Sequence, residues 1–167
     1  ARGYHRGPGC DHAEVDALKK IGNESRGADV YVTLEPCCHH GKTPPCTDAL
    51  RAAGVRRVYY AVHDCDPRVC GEGVRCLDNS GITMIHFHEF ETSALSIMAP
   101  FFCRVQQQRP YVLHKTAMTL DGRTAVPGGD SRWITSALSR HVVHRLRAIS
   151  DAVIVGKGTF LFDNPAL

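Results

Sequence analysis

Residues 30–62 read VYVTLEPCCHHGKTPPCTDALRAAGVRRVYYAV, and this stretch contains the pattern that decides the fold. Residues 30–34 (VYVTL) and 57–62 (RVYYAV) are short runs of β-branched and aromatic residues, which predict two buried strands. Between them, residues 47–53 (TDALRAA) predict a helix that ends at Gly54. In such a unit the two strands lie parallel and are joined by a right-handed crossover. The stretch therefore predicts an α/β domain built on a parallel sheet.

The alternation of helices and strands continues on both sides of this unit. Residues 12–20 (HAEVDALKK) place their apolar side chains at helical spacing, and Asp11 precedes them as a suitable N-cap. A further helix is expected near residues 74–79, ended by Gly81, followed by a strand at residues 82–87. All of these elements are consistent with one α/β domain.

The composition turns polar at residues 106–110 (QQQRP), where we expect a linker. Beyond it, residues 111–115 and 152–155 predict strands, and residues 136–149 predict a helix. The sequence therefore predicts three segments: a first domain at residues 1–104, a linker at residues 105–110 and the start of a second α/β domain at residues 111–167.

The overall composition is that of a globular protein, with 43% hydrophobic and 22% charged residues among 167. Twenty Lys and Arg against seventeen Asp and Glu leave a net charge of +3, and the signs are mixed, so charge indicates no nucleic-acid partner. No apolar run reaches the roughly 20 residues that cross a bilayer, and residues 1–10 lack the apolar stretch of a signal peptide. We therefore expect a soluble, cytoplasmic protein without a membrane partner.

Cysteine usage favours metal chemistry in a reducing compartment. Eight cysteines, about 5% of the chain, occur together with ten histidines. This fraction is below the roughly 8–10% that is typical of a disulfide scaffold.

Two separated pieces of the chain carry metal-ligand and proton-transfer residues. Zinc prefers tetrahedral nitrogen and thiolate ligands, and a catalytic site supplies three of them while the fourth position is left to water. His12, Cys37 and Cys46 supply that set. Glu14, at the start of the same predicted helix as His12, is placed to move a proton without being a ligand.

A closed structural zinc site is the main alternative that the residues leave open. Cys38, His39 or His40 can each supply a fourth ligand to such a site. A carboxylate two residues after a ligand histidine has no use in a closed site, however, and this favours the catalytic interpretation.

At these residues the sequence resembles a known group of enzymes. The HAE helix and the Pro-Cys loop are similar to the zinc-dependent cytidine deaminase superfamily, whose usual second element is PCxxC. Here eight residues separate Cys37 from Cys46, and residues 33–58 (TLEPCCHHGKTPPCTDALRAAGVRRV) resemble the deaminase half of the bifunctional riboflavin-biosynthesis deaminase/reductase family. Three later segments are similar to the opening of that family's reductase domain: residues 115–124, 131–135 and 152–165.

The resemblance implies a cytidine-deaminase-like three-layer α/β/α domain followed by the start of a dihydrofolate-reductase-like α/β domain. It implies hydrolytic deamination of 2,5-diamino-6-ribosylamino-4(3H)-pyrimidinone 5′-phosphate, and then NADPH-dependent reduction of 5-amino-6-(5-phosphoribosylamino)uracil. The implied cofactors are Zn²⁺ and NADPH. The implied partner is a small phosphorylated pyrimidine rather than nucleic acid, and a homo-oligomer is expected.

The same resemblance assigns roles to individual residues. Glu14 matches the catalytic proton carrier, and the matching zinc ligands are His12, Cys37 and Cys46. The residues expected to bind substrate, with Lys42 near the phosphate, are His39, Lys42, Asp64 and Asp66. The residues that match the family's reductase substrate and cofactor cleft are Lys115, Asp121, Gly122, Ser131, Trp133, Thr135, Gly156, Thr159 and Asp163.

Some positions depart from the family pattern. Cys38 stands where the family usually has Ser, and Asp64-Cys65-Asp66-Pro67 stands where it has DPNP, so that Asp66 replaces an Asn. Only eleven residues precede His12, and we expect both ends of the family's chain to be missing here, with the reductase chemistry only begun.

Two other functions remain as alternatives at this point. One is a nucleic-acid or nucleoside base deaminase of the same superfamily, against which the GKTPP loop and the reductase-like segment argue. The other is an inactive, zinc-stabilised binding module, which zinc content without ammonia release would indicate.

Overall fold

The computed structural model describes residues 1–67 and 69–167. Two compact units make up the chain, Ala1–Val112 and Leu113–Leu167. The helices and strands of the first unit are α1 (Ala13–Ile21), β1 (Asp29–Leu34), α2 (Cys46–Ala52), β2 (Arg57–Val62), α3 (Glu72–Asn79), β3 (Thr83–His86) and α4 (Glu91–Gln107). Among the residues described, no helix combines the length and the apolarity that a membrane span requires.

The three strands form one parallel sheet in the order β1-β2-β3. Val30 on β1 lies opposite Val58 on β2, which in turn lies opposite Met84 on β3. The structure therefore confirms the strands that the sequence predicts in this unit, and it confirms their parallel pairing.

Helices cover both faces of this sheet. The buried residues of the larger core, against which Leu18 of α1 packs, are Leu50, Val55, Val58, Leu77 and Ile82. Leu50 and Leu77 are fully buried and each contribute about 2 kcal/mol to folding. On the opposite face, Ala61 of β2 meets Ala94 and Phe102 of α4. This is the expected three-layer α/β/α arrangement.

The start of α1 differs from the prediction in its cap. Asp11 is not the N-cap; that position is taken by His12, in an extended conformation and without a side-chain capping bond. The Asp11 carboxylate instead forms an ion pair with Lys19, at 2.5 Å. The predicted cap is wrong because the helix begins at Ala13, one residue later than predicted, which places Asp11 outside it. The His12 ring instead contacts Cys37 and Thr43 in the loop after β1.

The sequence pattern does not predict helix α4. It continues through Pro100, which lacks an N–H group and usually interrupts a helix, and it ends where Gln108 adopts a left-handed conformation with φ of 51°. The first half of the expected polar linker, residues 105–107, is thus the last turn of α4. Packing of Ala94 and Phe102 against the sheet explains why the helix forms here.

The second unit contains α5 (Ala137–Ala148) and α6 (Lys157–Asp163). The predicted helix at residues 136–149 is confirmed, and Ser136 caps it by accepting a hydrogen bond from the Ser139 N–H. The strands predicted at residues 111–115 and 152–155 are wrong, since neither segment is a strand. Val112 and Ile154 are 74% and 95% exposed, so these β-branched runs have neither a pairing partner nor a covered face, and a strand needs both.

Candidate active site

His12, Cys37 and Cys46 converge beside the carboxyl end of β1. His12 immediately precedes α1, Cys37 lies in the loop after β1, and Cys46 is the first residue of α2. The Nδ1 atom of His12 is 3.5 Å from Cys37 Sγ and 3.2 Å from Cys46 Sγ. The structure therefore brings together the three donors that the sequence predicts as metal ligands.

The spacing and chemistry of these donors fit zinc. Zinc bonds of about 2.3 Å to sulfur and 2.0–2.1 Å to nitrogen place tetrahedral nitrogen and sulfur ligands about 3.6 Å apart, close to the distances seen here. The other ring nitrogen of His12, Nε2, faces Thr43 Oγ1 at 3.4 Å. A proton on Nε2 that is donated to Thr43 leaves the lone pair on Nδ1, as a zinc-ligating imidazole requires.

The two thiols share one proton between them. The pKa of Cys37 is lowered to about 5, chiefly because the Cys46 thiol donates a hydrogen bond to it, and the Cys46 backbone N–H adds a second at 3.3 Å. The same interaction raises the pKa of Cys46, because Cys46 is the donor.

The loop between the two cysteines is closed at its base by the ligands themselves. Besides the bond from the Cys46 N–H to the Cys37 sulfur, the Thr47 N–H donates to the Cys37 carbonyl at 3.2 Å. Residues 38–45 form a loop whose two ends are joined by these two hydrogen bonds. The distance between the two sulfurs is thus fixed locally.

Glu14 lies beside the thiols in the first turn of α1. Its pKa is raised above the ordinary value, first by burial and also by the negative charge of Cys37, while His12 opposes the shift. Its carboxyl group interacts with the Cys46 thiol. A carboxyl group in this position can take up and release a proton next to the donor set.

A cleft of about 240 Å³ opens beside the three donors. The residues that line it are His5, Pro8, Gly9, His12, Cys37, His39, Gly41, Lys42 and Thr43. Two of the four predicted substrate residues, His39 and Lys42, thus face the same space as the donors. Lys42 gives the cleft a cationic side chain. Because Lys42 is exposed, an anionic group can reach it from solvent.

The other two predicted substrate residues, Asp64 and Asp66, lie in the turn after β2 and are not among the residues that line this cleft. Asp64 is buried and accepts a hydrogen bond from the Asp66 N–H at 2.8 Å. Burial raises the pKa of Asp64, and nearby His39 opposes the shift. Asp64 therefore lies near His39, a residue of the cleft, and its carboxylate holds the turn after β2.

A closed four-ligand site is not supported by the geometry. Within the described residues, the donor group at this site consists of His12, Cys37 and Cys46. Neither Cys38 nor His39 nor His40 belongs to it. A zinc ion held by these three donors would therefore have a fourth position for a ligand from outside this donor group.

Sequence reasoning misses three residues that shape the site. Thr43 orients His12, and His5 packs edge-on against the His12 ring, with the ring centroids 5.1 Å apart. The His5 Nδ1–H also donates to the Asp11 carbonyl at 3.0 Å. Both residues flank the HAE and Pro-Cys segments, but their role depends on contacts across the fold that spacing along the chain does not indicate.

The third is Glu35, whose side chain is fully buried. Its carboxylate accepts hydrogen bonds from His63 Nδ1 at 3.1 Å and from the backbone N–H groups of Gly71 and Val74 at 3.0 and 3.1 Å. A fourth bond comes from the Asp64 N–H at 3.3 Å. Glu35 thus joins the end of β1, two residues before Cys37, to the turn after β2 and to the start of α3. The available sequence signal was a carboxylate directly after a short apolar strand.

The residues expected to form the reductase cleft lie in the second unit, where most are exposed. Thr135 is partly buried; the exposed ones are Lys115, Asp121, Gly122, Ser131, Trp133, Gly156, Thr159 and Asp163. Arg140 links two of them, since its guanidinium group lies over the Trp133 ring at 4.2 Å and donates to the Thr135 carbonyl at 2.6 Å. Asp121 accepts a hydrogen bond from Arg123 Nε at 3.1 Å.

Comparison with known families matches the two parts of the chain to two different protein families. Residues 1–62 match the cytidine and deoxycytidylate deaminase zinc-binding region, and residues 110–167 match the RibD C-terminal domain. The zinc-binding region contains His12, Cys37, Cys46 and Glu14.

Relatives that match nearly the whole of this chain are riboflavin biosynthesis proteins. The chain is 47% identical to the riboflavin biosynthesis protein RibD of Aquifex aeolicus and 46% identical to that of Escherichia coli, in each case over 99% of this chain. It covers 46% and 45% of those proteins, so it spans about half the length of the curated relatives that it matches.

Solved structures show the same fold. A RibD structure from Acinetobacter baumannii has a TM-score of 0.82 at 44% identity, covering 98% of this chain and 46% of that one. A diaminohydroxyphosphoribosylaminopyrimidine deaminase/5-amino-6-(5-phosphoribosylamino)uracil reductase from Thermotoga maritima has a TM-score of 0.84 at 44% identity, covering 98% of this chain and 47% of that one. These matches confirm the expected order of a cytidine-deaminase-like domain and a reductase-type domain. The chain belongs to the RibD family of bifunctional riboflavin-biosynthesis deaminase/reductases.

Proposed function

We propose that the first unit catalyses the zinc-dependent hydrolytic deamination of 2,5-diamino-6-ribosylamino-4(3H)-pyrimidinone 5′-phosphate, a step of riboflavin biosynthesis. The observation that carries the proposal is the convergence of His12 Nδ1 with the sulfurs of Cys37 and Cys46, at zinc-ligand distances, beside Glu14 and an open cleft. The name of the Thermotoga maritima protein, which specifies this deaminase, supports the choice of substrate.

In this proposal His12, Cys37 and Cys46 hold the zinc ion, and a zinc ion so held supplies the Lewis acidity that lowers the pKa of a water molecule. Glu14 relays the two protons of the attacking water in turn, one to the ring nitrogen beside the reacting carbon and one to the amino nitrogen of the pyrimidine. The carbon–nitrogen bond breaks, a carbonyl forms at the same carbon, and ammonia leaves. Water is thus consumed and ammonia produced in equal amounts, with no net change at Glu14.

The loop between the two cysteines positions the substrate. Lys42 provides a cation for the 5′-phosphate, because an ammonium group forms charge-assisted hydrogen bonds with phosphate oxygens. His39 faces the same cleft and is placed for contact with the pyrimidine or the ribosyl hydroxyls. Asp64, which lies near His39, and Asp66 in the same turn complete the proposed set of substrate-binding residues.

The second unit, in this proposal, belongs to the NADPH-dependent reductase part of the family. Its match to the RibD C-terminal domain supports the assignment. The residues proposed for that cleft are Lys115, Asp121, Gly122, Ser131, Trp133, Thr135, Gly156, Thr159 and Asp163. The homo-oligomeric state stays a prediction.

Ammonia release tests the deaminase function. The zinc-loaded chain should release ammonia from the diaminopyrimidine phosphate, and the same chain stripped by a chelator should not. Cytidine and single-stranded DNA serve as competing substrates. Ammonia from either of these in preference to the phosphorylated pyrimidine would replace the proposed substrate by that of another deaminase. Bound zinc with no ammonia from any of the three would indicate a binding module.

A further inference from the structure

A second group of metal-type donors lies where β3 turns into α4. His86 ends β3, His88 follows two residues later, and Glu91 is the first residue of α4. One donor atom from each lies within 4.8 Å of the others. The two imidazole rings are 3.8 Å apart between centroids. None of the three residues belongs to the site formed by His12, Cys37 and Cys46.

His86 is held in the tautomer that binds metal. Its Nε2 atom lies 3.0 Å from the Ala61 carbonyl oxygen. Because a carbonyl can only accept, the proton is on Nε2, and the lone pair of the neutral ring is on Nδ1. A backbone carbonyl that fixes the far nitrogen in this way is the usual partner of a metal-ligating histidine. The ring also stacks on Tyr60, with centroids 5.0 Å apart and an interplanar angle of 5°, which fixes its orientation.

The pair formed by His88 and Glu91 is spaced for an ion between them. His88 Nδ1 is 3.7 Å from Glu91 Oε2, which is too long for a hydrogen bond. Ligands of a tetrahedral zinc ion lie about 3.4 Å apart when both bonds are about 2.1 Å. The two side chains are 73% and 44% exposed, so an ion reaches them from solvent.

We propose that His86, His88 and Glu91 bind a second divalent transition-metal ion, of the zinc and nickel class, in a site separate from the catalytic one. Two imidazoles and a carboxylate suit these ions, whereas Ca²⁺ and Mg²⁺ prefer oxygen ligands. The bound ion joins the end of β3 to the first turn of α4. Its remaining coordination positions face water.

Native mass spectrometry of the full chain, titrated with Zn²⁺, tests the proposal. The wild-type chain should bind two zinc ions. The variants His88→Ala and Glu91→Ala should retain one, and Cys37→Ser should lose the first ion but keep the second. Because the loss of an outer-sphere partner already costs roughly 10- to 100-fold in metal affinity, the loss of a direct ligand should weaken the second site by more than that. His144→Ala, which replaces an exposed histidine of α5, is the matched control and should bind two ions.

A measurement on the wild-type chain keeps the test independent of how the variants fold. Ni²⁺ added to the chain loaded with one equivalent of zinc, which fills the cysteine site, should selectively broaden the imidazole NMR signals of His86 and His88. A second ion that persists in the His88→Ala variant, or broadening that spares both rings, would overturn the proposal, as would a single zinc in the wild-type chain at saturation. These outcomes do not depend on deaminase activity, so the second site can fail while the proposed function stands.

Discussion

Cys37 and Cys46 have opposite pKa shifts although they lie in the same donor set, because one accepts the hydrogen bond that the other donates. We expect Cys37→Ser and Cys46→Ser each to lose the catalytic zinc, since a hydroxyl group is a much poorer zinc ligand than a thiolate. Cys38→Ser, the matched control from the same loop, should keep it. Metal analysis of the purified variants checks this. Zinc retained by Cys46→Ser and lost by Cys38→Ser would identify Cys38 as the third ligand.

The position of Glu14 separates proton transfer from metal binding. We expect Glu14→Gln to keep the zinc and to lower the deamination rate by roughly two to four orders of magnitude, the usual effect of removing a positioned proton-transfer group. Ammonia release and metal content, measured on the same sample, check this. Parallel loss of zinc and rate would instead make Glu14 a structural residue.

Lys42 should affect binding more than chemistry. A charge-assisted hydrogen bond to phosphate contributes about 1–3 kcal/mol, so we expect Lys42→Ala to weaken substrate binding by roughly 5- to 150-fold. Lys157→Ala, an exposed lysine of the second unit, is the control and should bind normally. Titration of the zinc-loaded Glu14→Gln variant with substrate, with and without the Lys42 substitution, measures the difference. Equal affinities would place Lys42 in solvent.

At the scale of secondary-structure elements, Glu35 connects β1 to the start of α3. Its carboxylate satisfies the N–H groups of the α3 cap residue Gly71 and of Val74, a task that a local capping side chain usually performs. The two segments approach so closely that a Cβ atom on Gly73 would lie 2.0 Å from the Pro36 carbonyl oxygen. The same contacts hold the loop that carries Cys37.

We therefore expect Glu35→Ala to lower the free energy of unfolding by at least about 3 kcal/mol, because several buried N–H groups lose their acceptor at about 1–3 kcal/mol each. Glu35→Gln, which keeps one acceptor oxygen, should lose less, about 1–3 kcal/mol. Glu24→Gln changes an exposed carboxylate and is the control. Urea unfolding measures all three. A Glu35→Ala chain as stable as the control would show that water replaces these bonds.

Local patterns were sufficient for most elements of the first unit and for the grouping of His12, Cys37 and Cys46. The β-branched runs of β1 and β2 and the helix stop at Gly54 depend on near neighbours in sequence, and the structure has them at those places. The Asp11 cap was wrong because the helix begins at Ala13, one residue later than the pattern indicates, and Asp11 pairs with Lys19 instead. Glu35 was missed because its partners lie 28 to 39 residues away, at separations that no spacing rule covers.

At the scale of the whole molecule, the two units differ in how far they bury their apolar residues. The first has a continuous core around Leu50 and Leu77. In the second, Trp133 is 69% exposed and Phe162 is 89% exposed, and the strands predicted there did not form. Strand formation depends on pairing with distant segments, which explains why propensity alone gave the wrong result in the second unit and the right one in the first.

We expect this chain to show no saturable NADPH binding and no NADPH-dependent reduction. A cofactor site buries most of its ligand in a preformed concave surface, whereas Ser131, Trp133 and Thr159 lie on exposed surface. Trp133 fluorescence during an NADPH titration, and NADPH oxidation with the deaminated substrate, check this. ATP serves as the control for nonspecific quenching. Saturable binding with turnover would mean that a second copy of the chain completes the cleft.

The bonds that close the base of the loop at residues 38–45 have a consequence for how this site can be changed. Cys37 and Cys46 are tied to each other by the Cys46 and Thr47 N–H groups, so their separation does not depend on the length of the chain between them. The residues proposed to bind the substrate, His39 and Lys42, lie within that segment and line the cleft. The loop can therefore be replaced without moving the two cysteines. Grafting a loop of another length between the same two cysteines should redirect which pyrimidine is accepted while the metal centre stays intact.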